Sequence, residues 1–476
     1  MAAISRAVDL IRGNLITIII VLVFGASGGG GPSFLWVFIG LFVFLLVAGT
    51  AGWWRFVYRV EDGELQIKQG IFVRKHLYLT RDRIQVIDVT AGIIQRMFGL
   101  VKVEIKTAGS SSREASLSAV TKSEARYLTS LLRGNGIQEE AAEELEPEYE
   151  EKYFLPGKEL LIAASTSGSF GIALSILATI FSQVEPLISE TEMYEWFIRY
   201  IPSDTDLFFI ISIILVFVIF AWLMSFFGTL IRFGDFSLTI KPEEMVITRG
   251  IFEKKRITVP FNRIQAVRVV EGIMRQPLGY ATIYVESAGY GDQQGSGSVV
   301  LMPLIKKSEI RPLIRKILPE YDFNTEPLRP PKRAVTRYII RSSFVLAFII
   351  LGIYWFLDAP SMIWIFMIPG VFWGWLRHRD AAVGIDLDRI MIRSRMLSLS
   401  TAFVRRNRAQ DVTSSASWIQ RYRNLANLEV SVASGDQGRS FNVQELDEED
   451  ARHILPWISK LYQLQVGETF PISATE

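Results

Sequence analysis

Two hydrophobic regimes alternate along this chain. In the first, charge disappears for long stretches. It stops after Arg12 and returns only at Arg55, and the interval holds two apolar runs, Leu15 to Phe24 and Phe34 to Trp54, hinged at a Gly28-Gly29-Gly30-Gly31-Pro32 stretch. Leu160 to Val184 and Leu207 to Ile231 are uncharged for about 25 residues each, enough to cross a ~30 Å hydrocarbon core with some tilt. Ser342 to Leu357 and Ala359 to Leu376 form a tighter pair, broken at Asp358 and Pro360. The pattern predicts six transmembrane helices in three hairpins. A cleaved signal peptide is not expected, because a second apolar run follows the first at once.

In the second regime apolar and polar positions alternate with period two, as at Leu65/Ile67, Leu77/Leu79, Val103/Ile105 and Ile283/Val285. Such alternation marks half-buried strands. It gives way each time to a helical stretch, 123–132, 308–318 and 448–461. About six short strands and one helix in roughly 80 residues suit a small antiparallel sheet, curled or closed into a barrel, capped by a C-terminal helix.

These β segments are copies of one another. Gly70 to Gly109 and Gly250 to Gly289 align without a gap and share 13 of 40 residues, including Gly-Ile-Phe at the start, Arg83-Ile84-Gln85 and Arg263-Ile264-Gln265 in the middle, and Gly99 and Gly279. A third copy, Arg395 to Ser434, keeps Arg408 and Gln410 and matches Ile94-Gln95-Arg96 with Ile419-Gln420-Arg421, but replaces Gly-Ile-Phe by Arg395-Met396-Leu397. A unit of hairpin plus β domain is therefore repeated three times. The expected order is hairpin 13–54, domain 55–136, acidic linker 137–157, hairpin 158–231, domain 232–320, proline-containing linker 321–337, hairpin 338–376, domain 377–465 and tail 466–476.

Charge adds orientation. Arg12, Arg55, Arg59, Lys158, Arg232, Arg333, Arg337, Arg341, Arg377 and Arg379 flank the open ends of the hairpins, whereas the tips carry no such excess. Lys and Arg are retained on the cytoplasmic side, so a multi-pass protein of the bacterial cytoplasmic membrane is expected, with both termini and all three repeats cytosolic. The net charge of +2 hides basic repeats: 55–133 and 232–318 each carry 14 Lys/Arg against 8 Asp/Glu, offset by eight glutamates between Glu139 and Glu151. Basic clusters at Arg74 and Lys75, at Lys254, Lys255 and Arg256, and at Arg405 and Arg406 are candidate contacts for anionic head groups or protein partners, with solubility as the plainer reading. They lack interleaved aromatics, so nucleic acid is not an expected partner.

Catalytic chemistry is hard to find. The chain has no cysteine, three dispersed histidines (His76, His378 and His453), no Walker loop and no HExxH. Neither catalytic nor metal-binding residues nor a cofactor are expected. The recurring Gly70, Arg83, Gln85, Gly99, Gly250, Arg263, Gln265, Gly279, Arg408 and Gln410 read as a fold motif, with an Asx-type turn at Asp82, Asn262 and Asn407 and positive φ at the turn glycines. Ala163, Ser167, Gly171, Ser175 and Thr179 recur every fourth residue in the third span, a small-residue stripe suited to close helix packing within or between chains.

The Gly-Ile-Phe strand, the Arg-Ile-Gln element and the glycine turn, directly following paired spans, resemble the bacterial pleckstrin-homology-like domain family 2. The resemblance implies a PH-like barrel in each repeat without settling an activity. The expected function is a non-enzymatic membrane scaffold that presents three cytosolic PH-like domains to anionic lipid or to membrane or cytosolic proteins. A related smaller PH-like membrane protein and a second copy of the chain are both candidate partners. Through the resemblance, envelope maintenance or defence against membrane-active peptides is the expected setting. The alternatives are a lipid or peptide transporter or exporter component and, further off, an enzyme with an unrecognised site.

Overall fold

The computed structural model describes residues 40, 43, 47, 55–61, 64–70, 74–80, 84–107, 115–133, 151–188, 207–288, 297–356, 360–386, 388–435 and 438–458. Most of the first expected hairpin, most of the acidic linker, Arg83, residues 289–296 and the tail lie outside the described residues.

In the first repeat, β1 (Val57–Glu61), β2 (Glu64–Gln69) and β3 (Lys75–Thr80) form one antiparallel sheet. The strands β4 (Ile84–Ala91), β5 (Leu100–Thr107) and β6 (Ala115–Thr121) form a second meander, with the short helix α1 (Ile93–Met97) in the β4–β5 turn and α2 (Lys122–Arg133) after β6. Period two turns Leu65 and Ile67 inward from the first sheet and Val103, Ile105 and Leu117 from the second. Ala125, Leu128 and Leu132, spaced for one helical face, join the same core from α2.

The second repeat starts earlier than the charge pattern suggests. Residues 151–154, expected as linker, form β7 (Glu151–Phe154), which pairs with β8 (Ser237–Ile240) across Tyr153 and Leu238. Between these strands come α3 (Gly157–Ser165), α4 (Phe170–Ile188) and α5 (Leu207–Phe233). Next follow β9 (Glu244–Arg249), β10 (Lys254–Pro260), β11 (Ile264–Glu271), β12 (Tyr280–Ser287), β13 (Ser298–Lys306) and α6 (Lys307–Ile317). The third repeat runs through α7 (Val335–Phe356), α8 (Met367–Asp380), β14 (Ala382–Asp386), β15 (Arg389–Arg395), β16 (Leu399–Arg405), β17 (Ala409–Ser415), α9 (Trp418–Tyr422), β18 (Leu425–Val432), β19 (Arg439–Asp447) and α10 (Glu448–Ile454). Val383, Ile390, Ile392 and Val404 meet Leu428, Val430 and Val443 in its core, with Ile454 and Trp457 at the helical end.

The sheets do not stop at repeat boundaries. β4 of the first repeat pairs with β10 of the second, giving the order β6-β5-β4-β10-β9-β8-β7, and β11 of the second pairs with β16 of the third, giving β13-β12-β11-β16-β15-β14. Accordingly the chain divides into two compact units, Met1–Val259 and Pro260–Glu476, with the division inside the second repeat. Each joint ties one half of that repeat to a different neighbour.

Among the described residues six spans are not found. Among the described residues two helices, Ile211–Phe233 and Lys332–Phe356, are long and apolar enough to cross a membrane, or three if the pair Gly157–Ser165 and Phe170–Thr179, bent by 52°, is one broken span. The expected return arm of the third hairpin is not one α-helix: 361–366 is 3₁₀ and leads straight into α8, which has 14 residues and ends in Arg377-His378-Arg379-Asp380. By itself α8 is about 21 Å long.

The bend also splits the small-residue stripe. Ala163 is fully buried where α3 packs on α5, and Ser167 lies in the break, accepting from Thr229 Oγ1 at 2.9 Å. Beyond it Ser175 and Thr179 bond back to Gly171 O and Ser175 O, both at 2.9 Å, with exposed side chains. A Cβ on Gly171 would meet nothing within 4 Å. Among the described residues it is the first half of the stripe that is packed against a neighbouring helix.

Candidate functional site

Where the β domains meet the membrane helices, the chain builds an apolar lip. In the second repeat the β9–β10 turn begins at Gly250, whose φ is 105° and whose Cβ would lie 2.1 Å from Glu253 O, so the turn requires glycine. Its amide donates to Gly234 O at 2.7 Å, and the next amide, of Ile251, donates to Ile231 O at 3.0 Å. These two bonds fasten the turn to the last turn of α5. Ile251 and Phe252 then project into solvent, about half exposed.

The third repeat reaches the same arrangement by other chemistry. Arg395 occupies the place of Gly250 as the last residue of β15, its guanidinium buried against Asp380 at the end of α8 at 2.5 Å. Arg377 Nε donates to Arg395 O and Trp373 Nε1 to Met396 O, each at 3.0 Å. Met396, 81% exposed, and Leu397 take the places of Ile251 and Phe252.

Each tip meets the β-turn of the preceding repeat. Arg96 of α1 donates through Nη1 to Ile251 O at 2.8 Å, beside the exposed Met97 and Phe98. Arg395 Nη2 donates to Gln276 Oε1 at 2.9 Å, in the 272–278 turn that exposes Ile273, Met274 and Leu278. The third repeat carries Trp418, Ile419 and Tyr422 on α9 at the same place, with Tyr422 89% exposed. Large exposed apolar patches mark contact surfaces, and Trp and Tyr are favoured at the membrane interface.

Two of the basic clusters lie on or at the end of a strand of a sheet joint, Lys254-Lys255-Arg256 in β10 and Arg405-Arg406 at the end of β16. Lys254, Lys255 and Arg256 pair with Ala91, Thr90 and Val89. Because side chains alternate along a strand, Lys255 faces away from the other two, and the three do not form one head-group site. Lys254 is bonded to Asp235 at 3.2 Å. Arg405 bonds Glu320, while the amide of Arg406 donates to Asp388 O at 2.9 Å and its side chain is mostly buried. Both are thus engaged within the fold. Arg74 and Lys75, at the start of β3, are exposed.

The Arg-x-Gln motif has a local explanation. The pairing shifts register between Ile84 and Val86, between Ile264 and Ala266, and between Ala409 and Asp411, so Gln85, Gln265 and Gln410 are the extra residue of a bulge in all three repeats. In the second copy Gln265 Nε2 donates to Arg263 O at 3.0 Å. Instead of Asx-type turns at Asn262 and Asn407, single 3₁₀ turns, Phe261–Arg263 and Arg406–Arg408, precede the bulges. Gly99 and Gly279 have φ of 69° and 71°, and Asn424 holds the same position in the third copy at 52°.

One buried feature left no trace in the motifs. Glu286 on β12 is fully buried and accepts from Arg268 Nε at 3.0 Å, Ser298 Oγ at 2.7 Å and Ser434 Oγ at 2.9 Å. Burial holds the nearby Arg439 guanidinium below its ordinary pKa, with Arg268 adding to the shift and Glu286 opposing it. The group fastens the second repeat to the third. Its carboxylate is saturated by these bonds, which suits a structural clamp better than a reactive acid.

The family model of the bacterial PH domain matches residues 15–135, 194–321 and 335–462. The chain is 34% identical over 435 residues to a protein of Bacillus subtilis (strain 168) described as UPF0699 transmembrane protein YdbT, covering 88% of each.

Proposed function

Because the chain belongs to the bacterial PH domain family, with three matches along its length, we propose that it is a non-enzymatic membrane scaffold whose PH-like repeats rest against the bilayer through the apolar lip. The observation that carries this reading is the fastening of Gly250 and Ile251 to the end of α5, repeated with different residues by Arg395 and Met396 at the end of α8. Both joints place a pair of large apolar side chains at the end of a helix: α5, which is long and apolar enough to cross a membrane, and α8, which ends in the basic Arg377-His378-Arg379. An apolar tip there gains by entering the head-group region, and the neighbouring Lys and Arg gain about 1 kcal/mol each near an anionic leaflet.

On this reading the lip fixes the height and tilt of the repeats, and the opposite faces of the sheets are left to bind membrane or cytosolic proteins. The repeats and both termini are cytosolic. Envelope maintenance or resistance to membrane-active peptides is the setting such a scaffold would serve.

A transporter is the competing class, and its best support is the bend between α3 and α4, where Ser165, Thr166 and Ser167 gather. Ser165 and Thr166 donate their hydroxyls to Leu161 O and Ile162 O, and Ser167 Oγ accepts from Thr229 Oγ1, so all three side chains have partners within the fold. Reporter fusions test the scaffold arrangement. A reporter after Gly136 should be cytosolic and one after Ser203 extracytoplasmic; the reverse pattern would remove the proposed cytosolic platform.

A further inference from the structure

The two sheet joints follow one rule. Lys254 stands opposite Ala91 and Leu399 opposite Glu271, and Arg256 stands opposite Val89 and Thr401 opposite Val269. In repeat coordinates these are identical pairs, so the third strand of one repeat always meets the fourth strand of the repeat before it, in a single register. The rule leaves two strands over. β3 ends the sheet β1-β2-β3, and β17 ends the sheet β17-β18-β19.

Exposure confirms that these are open edges among the described residues. Along β11 Ala266, Val267 and Val269 are buried, whereas of their counterparts on β17 Asp411 is exposed and Val412 and Ser414 are half-buried. On β3, Tyr78 is 56% exposed, whereas Thr258, its counterpart on β10, is buried. Natural edges are often blunted by proline, inward charge or a bulge; β17 has neither proline nor lysine, and its bulge at Gln410 is one that β11 also carries at Gln265 within a formed joint. Lys75 is no obstacle on β3, since its counterpart Lys255 already sits opposite Thr90 within a formed joint.

We propose that a second copy of the chain docks head to tail, β17 of one molecule adding to β3 of the next in the register of the internal joints. This places Lys75 opposite Ser415, His76 opposite Ser414, Leu77 opposite Thr413, Tyr78 opposite Val412 and Leu79 opposite Asp411. The contact is heterologous, so it repeats: successive copies build a ring or an open row in the plane of the membrane. It also brings Trp418 and Tyr422, exposed on α9, to the first repeat of the neighbour, as Arg96 is brought to Ile251 at the internal joint.

The chain has no cysteine, which makes the test direct. Two differently tagged full-length chains, one carrying Lys75→Cys or His76→Cys and the other Ser415→Cys or Ser414→Cys, are co-expressed in membranes and oxidised with copper phenanthroline. Adjacent antiparallel pairs alternate between wide and close spacing, so at least one of the combinations 75/415 and 76/414 should cross-link the two tags. The 78/414 combination, slipped by about 7 Å, should cross-link at least tenfold less. Adding Ser414→Pro to the 75/415 combination, which removes a main-chain donor on the open side of β17, as Val269 faces β16 at the internal joint, should abolish the cross-link and shift the detergent-purified protein to monomer by mass photometry. The proposal is overturned if cross-links ignore register, if they survive Ser414→Pro, or if the His76→Cys/Ser414→Cys double variant closes only within one chain.

Discussion

Arg395 holds Asp380 at 2.5 Å with both side chains buried, so a β-strand of the third repeat is pinned to the last turn of the helix that precedes it. Asp380 at a helix C-terminus is placed against the helix dipole, and the guanidinium compensates for it. Removing one partner of a buried pair leaves an uncompensated charge and costs about 3–5 kcal/mol. Asp380→Asn should therefore lower the melting temperature of the detergent-solubilised protein by several degrees, and Arg395→Leu with Asp380→Leu together should recover part of the loss.

Glycine matters unequally at its recurring positions. Both Gly250 and Gly279 have positive φ, but a Cβ at Gly250 also strikes Glu253 O at 2.1 Å, while at Gly279 it meets nothing within 4 Å. Gly279→Ala should cost about 1 kcal/mol from backbone strain alone, and Gly250→Ala distinctly more. Proteolysis of the full-length protein in detergent ranks the two; equal resistance would show that the β9–β10 turn rearranges.

Acid should loosen the end of the second repeat. Asp322 accepts from Arg315 at 2.9 Å and Arg311 at 3.2 Å. Burial raises its pKa, but the two guanidinium groups outweigh that and hold it below the ordinary 3.8. A depressed carboxylate contributes stability that is present above its unfolded pKa and is lost as pH falls through the folded value. Thermal melting between pH 6 and pH 2.5 should show a fall in stability below about pH 4 that Asp322→Asn flattens.

Much of each repeat could be read from the sequence because its determinants are local. Strand alternation at Leu65 and Ile67 or Val103 and Ile105 reports burial directly, and the turn glycines report φ. The sheet joints are different. Lys254-Lys255-Arg256 looks like a surface cluster, yet it pairs with Val89, Thr90 and Ala91 inside a seven-stranded sheet. Main-chain pairing is blind to side-chain type, and charged side chains on alternate faces do not prevent it. Among the described residues the third hairpin's expected return arm is not a single α-helix, because apolar composition does not measure continuous helix: the 359–376 run holds a 3₁₀ segment and a short helix. The lip did leave a trace, since Ile251-Phe252 becomes Met396-Leu397 and so keeps its apolar character while the glycine beside it is lost.

A membrane-resting scaffold requires the apolar tips to lie in the bilayer, and one measurement reaches them directly. A single environment-sensitive fluorophore is attached at Leu397→Cys, and separately at Phe252→Cys, in the otherwise cysteine-free chain reconstituted in nanodiscs. Both labels are expected to be quenched by brominated lipid and shielded from aqueous iodide. Free quenching by iodide with no response to brominated lipid would place the tips in water and contradict the membrane-resting scaffold.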